Sequence, residues 1–182
     1  MTFKLDLTYH QKWENVSYIR HFVADMLSEE FYGLAGSKRV STATSELVEN
    51  LVKHSSSKIA NISIATNTDG SEILLKATNT VSKELLEEFK LIFKEIYKSD
   101  PKTVYKEMML RSLGEKEISQ LGLARIRYEC EGEISYSIES CTNKPTLCQF
   151  LPKPSKHQLL SITVRMPISD QLLNQPKQEV LQ

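Results

Sequence analysis

Cysteine is scarce and odd in number: Cys130, Cys141 and Cys148 are the three present in 182 residues. Nothing suggests secretion, so a disulfide framework is excluded as the source of stability. Cys141, Cys148 and His157 could gather round a metal, but the spacing contains no Cys-x-x-Cys pair, and isolated thiols are the simpler reading. No apolar run is long enough to cross a bilayer, which takes about 20 residues. With no leader-like segment either, a cytoplasmic location without membrane contact is the expectation. Charge of one sign is also lacking, with 23 Lys plus Arg against 23 Asp plus Glu. That balance gives no basic surplus for nucleic acid and no acidic tail for a basic partner. There is no internal repeat and no linker long enough to divide the chain. One domain is expected over 1–168, followed by a loosely ordered tail over 169–182.

What is present is a clear alternation of periods. Phe3–Tyr9 alternates apolar and polar residues as a strand does. A helix is predicted from about Glu14 to Glu30, burying Val16, Ile19, Val23, Met26 and Leu27. Gly33 and Gly36 punctuate the connection, and Ser37 is placed to cap the next helix. Two strands follow, Ile59–Ala65 and Ser71–Ala77, joined by a hairpin at Asn67-Thr-Asp-Gly70. From Ser82 the period becomes helical through Leu85, Leu86, Phe89, Ile92, Phe93 and Ile96. Pro101 ends that helix or starts another, which Val104, Met108, Met109 and Leu113 outline. Residues 114–120 read as loop, Leu121–Tyr128 as a helix with glycine in its first turn, and Gly132–Glu139 and Leu159–Met166 as strands. Lys153, between Pro152 and Pro154, belongs to an extended loop. Grouped helices and strands of this kind predict an α+β fold, a two-layer α/β sandwich with helices on one face of a mixed, mostly antiparallel sheet.

The chemistry concentrates in Ser41–His54. Val40, Ala43, Thr44, Leu47, Val48 and Leu51 recur at helical spacing and form one apolar stripe. Glu46 and Asn50, four apart, stand one above the other on its shoulder, away from Glu49 and Lys53, with His54 a turn further along. A side-chain amide oxygen is a hard ligand suited to Mg²⁺, which keeps several waters and holds nucleotide phosphates. A carboxylate one turn away can take a proton from an attacking hydroxyl. The plainer alternative for Glu-x-x-x-Asn is a solvated helix edge. Lys53 reads as solvated, and His54 as a residue answering the last carbonyls of its helix.

Ser45–His54 resembles the N-box of the GHKL ATPase superfamily, whose fold is the Bergerat (histidine-kinase-like ATPase) sandwich. Within it the chain is most similar to the bacterial anti-sigma-factor serine/threonine kinases, and above all to the SiaB-like kinases of partner-switching modules. The similarity runs from about Phe3 to Pro167. It implies that Asn50 binds Mg²⁺ and that Glu46 is the general base. Leu121-Gly-Leu-Ala-Arg-Ile-Arg127 resembles the second glycine box, which implies phosphate contacts from Gly122, Leu123 and Arg127. Gln120 stands where that box has its first glycine. Asn79, in Thr78–Ser82, occupies the position of the adenine-reading aspartate, and Val81 and its neighbours replace the glycines of the first box. Residues 82–120 correspond to the ATP lid. Its apolar faces pack on the domain's own core or dock a partner.

The implied function is an ATP:Mg²⁺-dependent serine/threonine protein kinase that phosphorylates a STAS-like anti-sigma-factor antagonist. Its cofactors are ATP and Mg²⁺, and a homodimer is a further candidate assembly. His54 completes the set of nucleotide-site residues. The competing reading is a non-catalytic GHKL module that sequesters a partner, motivated by the altered glycine boxes. A detached sensor-kinase ATP domain fits least, since His10 and His21 lie in no phosphoacceptor context.

Overall fold

The computed structural model describes residues 3–27, 33–112, 121–141, 145–148, 151 and 156–168. In chain order these form β1 (Lys4–His10), α1 (Trp13–Leu27), α2 (Gly33–Lys53), β2 (Ile59–Thr66), β3 (Glu72–Ser82), α3 (Lys83–Ile96), α4 (Pro101–Ser112), α5 (Leu121–Glu129), β4 (Glu133–Ser140), α6 (Pro145–Cys148) and β5 (His157–Pro167). The sheet runs β1-β2-β3-β5-β4. Each pairing is antiparallel, so the sheet is not the mixed one expected. The two-layer α+β architecture is as expected.

Alternation along the strands separates the two faces. Ile62, Ile64, Ile73, Leu75, Ala77, Ile162 and Val164 point to one side and meet Val16, Ile19, Val23 and Leu27 of α1 and the stripe of α2. The stripe is as buried as its spacing requires: Ala43, Thr44, Leu47 and Val48 are wholly inaccessible. The opposite face is polar along β1, where Lys4, Asp6, Thr8 and His10 are exposed. At one end it carries a small second cluster of Ile59, Cys141, Leu147, Cys148, Leu151 and Leu159. The single turn of α6 contributes to that cluster and is too short for its periodicity to be read in advance. The three thiols are free and buried, and burial together with the hydrogen bond that the Cys148 thiol donates to Cys141 pushes Cys148 up to about 12. Among the described residues no group of three His, Cys, Asp or Glu could hold a metal, which removes the Cys141, Cys148 and His157 grouping.

Two boundaries moved for tertiary reasons. α2 begins at Gly33, so both glycines lie inside it, and Ser37 is a buried helical residue rather than a cap. Interior glycine costs about 1 kcal/mol, and here Gly36 and Ser37 are both buried within the helix. β3 runs five residues past Ala77 because Thr78–Ser82 find partners in Ser161–His157 of β5. The local signals held where chemistry is local. Gly70 takes φ +76 in the hairpin, and its N–H donates to Asn67 O at 3.1 Å. Ser82 Oγ accepts from Leu85 N at 3.3 Å to cap α3. Pro101 opens α4, with Asp100 Oδ1 accepting from Thr103 N at 3.0 Å.

The helical insert packs on its own domain. Leu86 and Ile96 are buried, and Phe89 and Phe93 meet Tyr136 edge-on at 5.2 and 4.7 Å. In α4, Val104 and Met108 are buried while Met109 and Leu110 remain exposed. Leu113 and residues 114–120, Lys153 and the tail over 169–182 lie outside the described residues. No helix among the described residues is long and apolar enough to cross a membrane.

The turn from α5 into β4 is tight. Glu131 takes the left-handed φ of 55, and its carboxylate pairs with Arg39 of α2 at 2.6 Å. At Gly132 a Cβ would lie 2.7 Å from Val164 Cγ1 and 2.8 Å from Ile126 Cγ2. Neither branched neighbour can retreat in a packed core, so Gly132→Ala is expected to destabilise the fold by about 1–3 kcal/mol. Urea unfolding reads this as a lower midpoint at unchanged slope, and an unchanged midpoint would show that α5 and β5 are not in such close contact.

Candidate functional site

α2, β3, α3 and the start of α5 enclose a cleft. Leu47, Asn50, Leu51 and His54 form one wall, Ala77, Asn79 and Val81 the floor, Leu85, Glu88, Phe89 and Ile92 the opposite wall, and Leu123 one end. The four-residue spacing of α2 thus brings Asn50 and His54 to the same space, and β3 delivers Asn79 to it because the strand continues beyond Ala77. The space open to the centre of a water-sized sphere is about 60 Å³, room for roughly four or five waters. Its lining is mostly apolar, with Asn50, His54, Asn79 and Glu88 as the polar exceptions.

Asn79 is buried, and its side-chain Nδ2 donates to the His54 carbonyl at 3.2 Å. That bond satisfies an orphan carbonyl at the end of α2 and leaves the Asn79 side-chain oxygen as the acceptor for anything entering. Next to it, Ser56 N and Ser55 Oγ both donate to Thr80 O, at 2.7 and 3.3 Å. The end of α2 is therefore tied to β3 at three points. The His54 imidazole is pushed below its ordinary value by burial, with Glu88 opposing the shift.

Glu46 lies one turn before Asn50 but faces the junction with α5 rather than the cleft. Its Oε1 accepts from Arg125 NH1 at 3.1 Å, and the side chain is only 16% exposed. A Cβ on residue 122 would sit 2.6 Å from Glu46 Oε2, so the absence of a side chain at Gly122 is what lets the carboxylate occupy that place. Burial raises the proton affinity of Glu46, and the Arg125 hydrogen bond pulls it partly back. A carboxylate with raised proton affinity is suited to general-base work.

Arg127 is not brought to this site. Its guanidinium donates to the Ile96 carbonyl at the end of α3 and stacks on Tyr97, 4.0 Å from the ring centroid. There it answers a helix C-terminus and an aromatic face. Two positions apart on a helix means about 200° of rotation, so Arg125, not Arg127, is the cation beside Glu46. The sequence reading missed Arg125. Its i,i+4 spacing to Glu129, realised as a bond of 2.7 Å, was the available signal. Lys53 pairs with Glu49 at 3.2 Å and lies over Trp13, outside the cleft. Gln120 lies outside the described residues.

No family model matches the sequence, and no curated protein matches it. In fold the chain is similar to a chain of the crystal structure of the SiaB–SiaC complex from Pseudomonas aeruginosa, with a TM-score of 0.65, 16% sequence identity and 89% of each chain covered. At that identity the likeness is one of fold.

The half-buried ring of His54 gives a prediction about stability. A lowered folded-state value means that the unfolded chain binds the proton more readily. Its contribution is therefore complete above the unfolded value of about 6.5 and is lost as pH falls below it, until the folded value is passed. The stability difference between wild type and His54→Gln should narrow as urea titrations move from pH 7.5 to 5.5. A difference constant across that range would mean the ring is not desolvated.

Proposed function

We propose that the chain is an ATP:Mg²⁺-dependent serine/threonine protein kinase of a partner-switching module, acting on a STAS-like anti-sigma-factor antagonist. The observation that carries this reading is the convergence of Asn50, His54 and Asn79 on one cleft, with a buried carboxylate of raised proton affinity, Glu46, one turn away on the same helix. The fold likeness to a component of the SiaB–SiaC complex supports a regulatory partner of the SiaC kind.

In this reading Asn50 would hold Mg²⁺ through its side-chain oxygen, a hard donor that suits an ion keeping most of its waters. When bound, the ion would neutralise charge on the transferring phosphoryl group. The Asn79 side-chain oxygen accepts from the adenine amino group. Glu46 accepts the proton of the substrate hydroxyl, and Gly122 keeps α5 close enough to enclose it. Arg127 has no part in this set. The enclosed part of the cleft, about 60 Å³, is smaller than a nucleotide, so in this reading α3 moves away from α2 as the site fills.

One observation favours the second reading, a non-catalytic scaffold that sequesters a partner: Leu85, Phe89 and Ile92 close the cleft with the protein's own apolar groups. Calorimetric titration with Mg-ATP separates the two. The kinase reading expects saturable heat, phosphorylation of the antagonist, and loss of turnover in Asn50→Ala with the unfolding midpoint kept. Absence of binding at millimolar Mg-ATP, or undiminished turnover in Asn50→Ala, would reject it.

A further inference from the structure

Arg125 occupies a junction between three helices. Its NH1 donates to Glu46 Oε1 of α2 at 3.1 Å, and its Nε donates to Glu129 Oε2 at 2.7 Å. The other oxygen of Glu129 accepts from Tyr105 Oη of α4 at 2.8 Å. Tyr105 is steadied by Tyr128, whose ring lies 5.3 Å away. A continuous run of polar contacts therefore leads from α4, in the helical insert, to the carboxylate on α2.

We propose that Arg125 is a positioning residue for Glu46, and that α4 sets the share of Arg125 that Glu46 receives through Tyr105 and Glu129. The proposal rests on the kinase reading for its catalytic meaning. A purely structural tie is a poor account of these contacts. Half-exposed ion pairs contribute only about 0–1 kcal/mol, and α2 and α5 already meet through the buried Leu47, Leu123, Ala124 and Ile126. What the arrangement does is aim one carboxylate. Arg125, 43% exposed, is divided between two acceptors, so a change at one is felt at the other.

The groups that act on Glu46 are Arg125 from α5, and Glu49 and Lys53 from its own helix. Tyr105 of α4 and Cys130 at the end of α5 lie within its electrostatic reach. The junction makes opposed demands on the titration of Glu46, which a simple strut would not. Removing Arg125 leaves only Lys53 to oppose burial and raises the Glu46 midpoint. Neutralising Glu129 gives Arg125 wholly to Glu46 and lowers it. Removing the Tyr105 hydroxyl strengthens the hold of Glu129 on Arg125 and raises it, by less than the loss of Arg125 does.

The test is the ¹³C-detected NMR titration of the Glu46 carboxyl in the full chain. The expected result is an upward shift in Arg125→Gln, a downward shift in Glu129→Gln and a smaller upward shift in Tyr105→Phe. In an assay with Mg-ATP and the antagonist, Arg125→Gln should lower kcat roughly 10- to 100-fold, part of what a general base supplies, with KM for ATP within about twofold. A Glu46 midpoint unmoved in both Arg125→Gln and Glu129→Gln would overturn the proposal. One unmoved only in Tyr105→Phe would overturn the link to α4. Because the titration needs no turnover, a wild-type chain without kinase activity rejects the kinase reading and still lets the midpoints decide this one.

Discussion

The docking of α2 on β3 governs where every functional side chain faces. The buried stripe from Val40 to Leu51 lies on the sheet, and the bonds from Asn79, Ser55 and Ser56 fix the last turn against the strand. A helix fastened both along its side and at its end cannot rotate. That restraint holds Asn50 and His54 over the cleft; among the described residues no side-chain hydrogen bond ties either of them to another element. The same restraint sends Glu46, a turn earlier, toward α5. Its carboxylate must then be enclosed, and the enclosure raises its proton affinity.

The wall opposite α2 is the structural tension in this molecule. Polar residues on α2 and β3 face apolar ones on α3. Buried between elements, an asparagine and a histidine tolerate such company only because each keeps a bond or partial access to water. The Asn79 amide is satisfied by the His54 carbonyl, and Asn50 and His54 retain partial exposure. The cleft is therefore a mostly apolar space with Asn50, His54, Asn79 and Glu88 as its polar groups, and Glu46, a turn before Asn50, lies outside it at the junction with Arg125 and Gly122.

Features whose cause lies within a few residues were legible in the sequence: the apolar stripe of α2, the hairpin at Gly70, the Ser82 cap and the start of α4 at Pro101. The pairing of Asn50 with His54 on one helix face was legible for the same reason, being a matter of 3.6 residues per turn. Features decided by distant partners were not. Glycine at 33 and 36 signals a break, yet the helix runs through Gly36, which is buried together with Ser37. β3 is long because β5 is long. Arg127 matches a motif by position, but Ile96 and Tyr97 lie on its side of α5 and claim it, leaving Arg125 to Glu46. A pattern of letters records that an arginine is needed near a glycine, and the neighbouring helices decide which arginine arrives.

The docking energy of α3 decides between the two readings of function. Full burial of a Leu, Ile or Phe side chain contributes about 1.5–3 kcal/mol. Leu85, Phe89 and Ile92 are partly buried and Leu86, in the same turns, is buried, so about 1 kcal/mol for each of the first three and about 2 for Leu86 make about 5 kcal/mol to lift this stretch from the cleft. Every 1.4 kcal/mol reduces apparent affinity tenfold, and a competent state populated only after such a cost binds about 4,000-fold more weakly than its intrinsic constant. A site of intrinsic micromolar affinity would then act at a few millimolar, at the edge of what millimolar nucleotide fills. Were the rest of the helix to leave as well, with Phe93 and Ile96, the cost would exceed what a nucleotide returns, and the chain would remain a closed scaffold. How much of α3 has to lift thus separates the two readings, and Phe93, edge-on against Tyr136 at 4.7 Å, lies in the part whose contacts decide it.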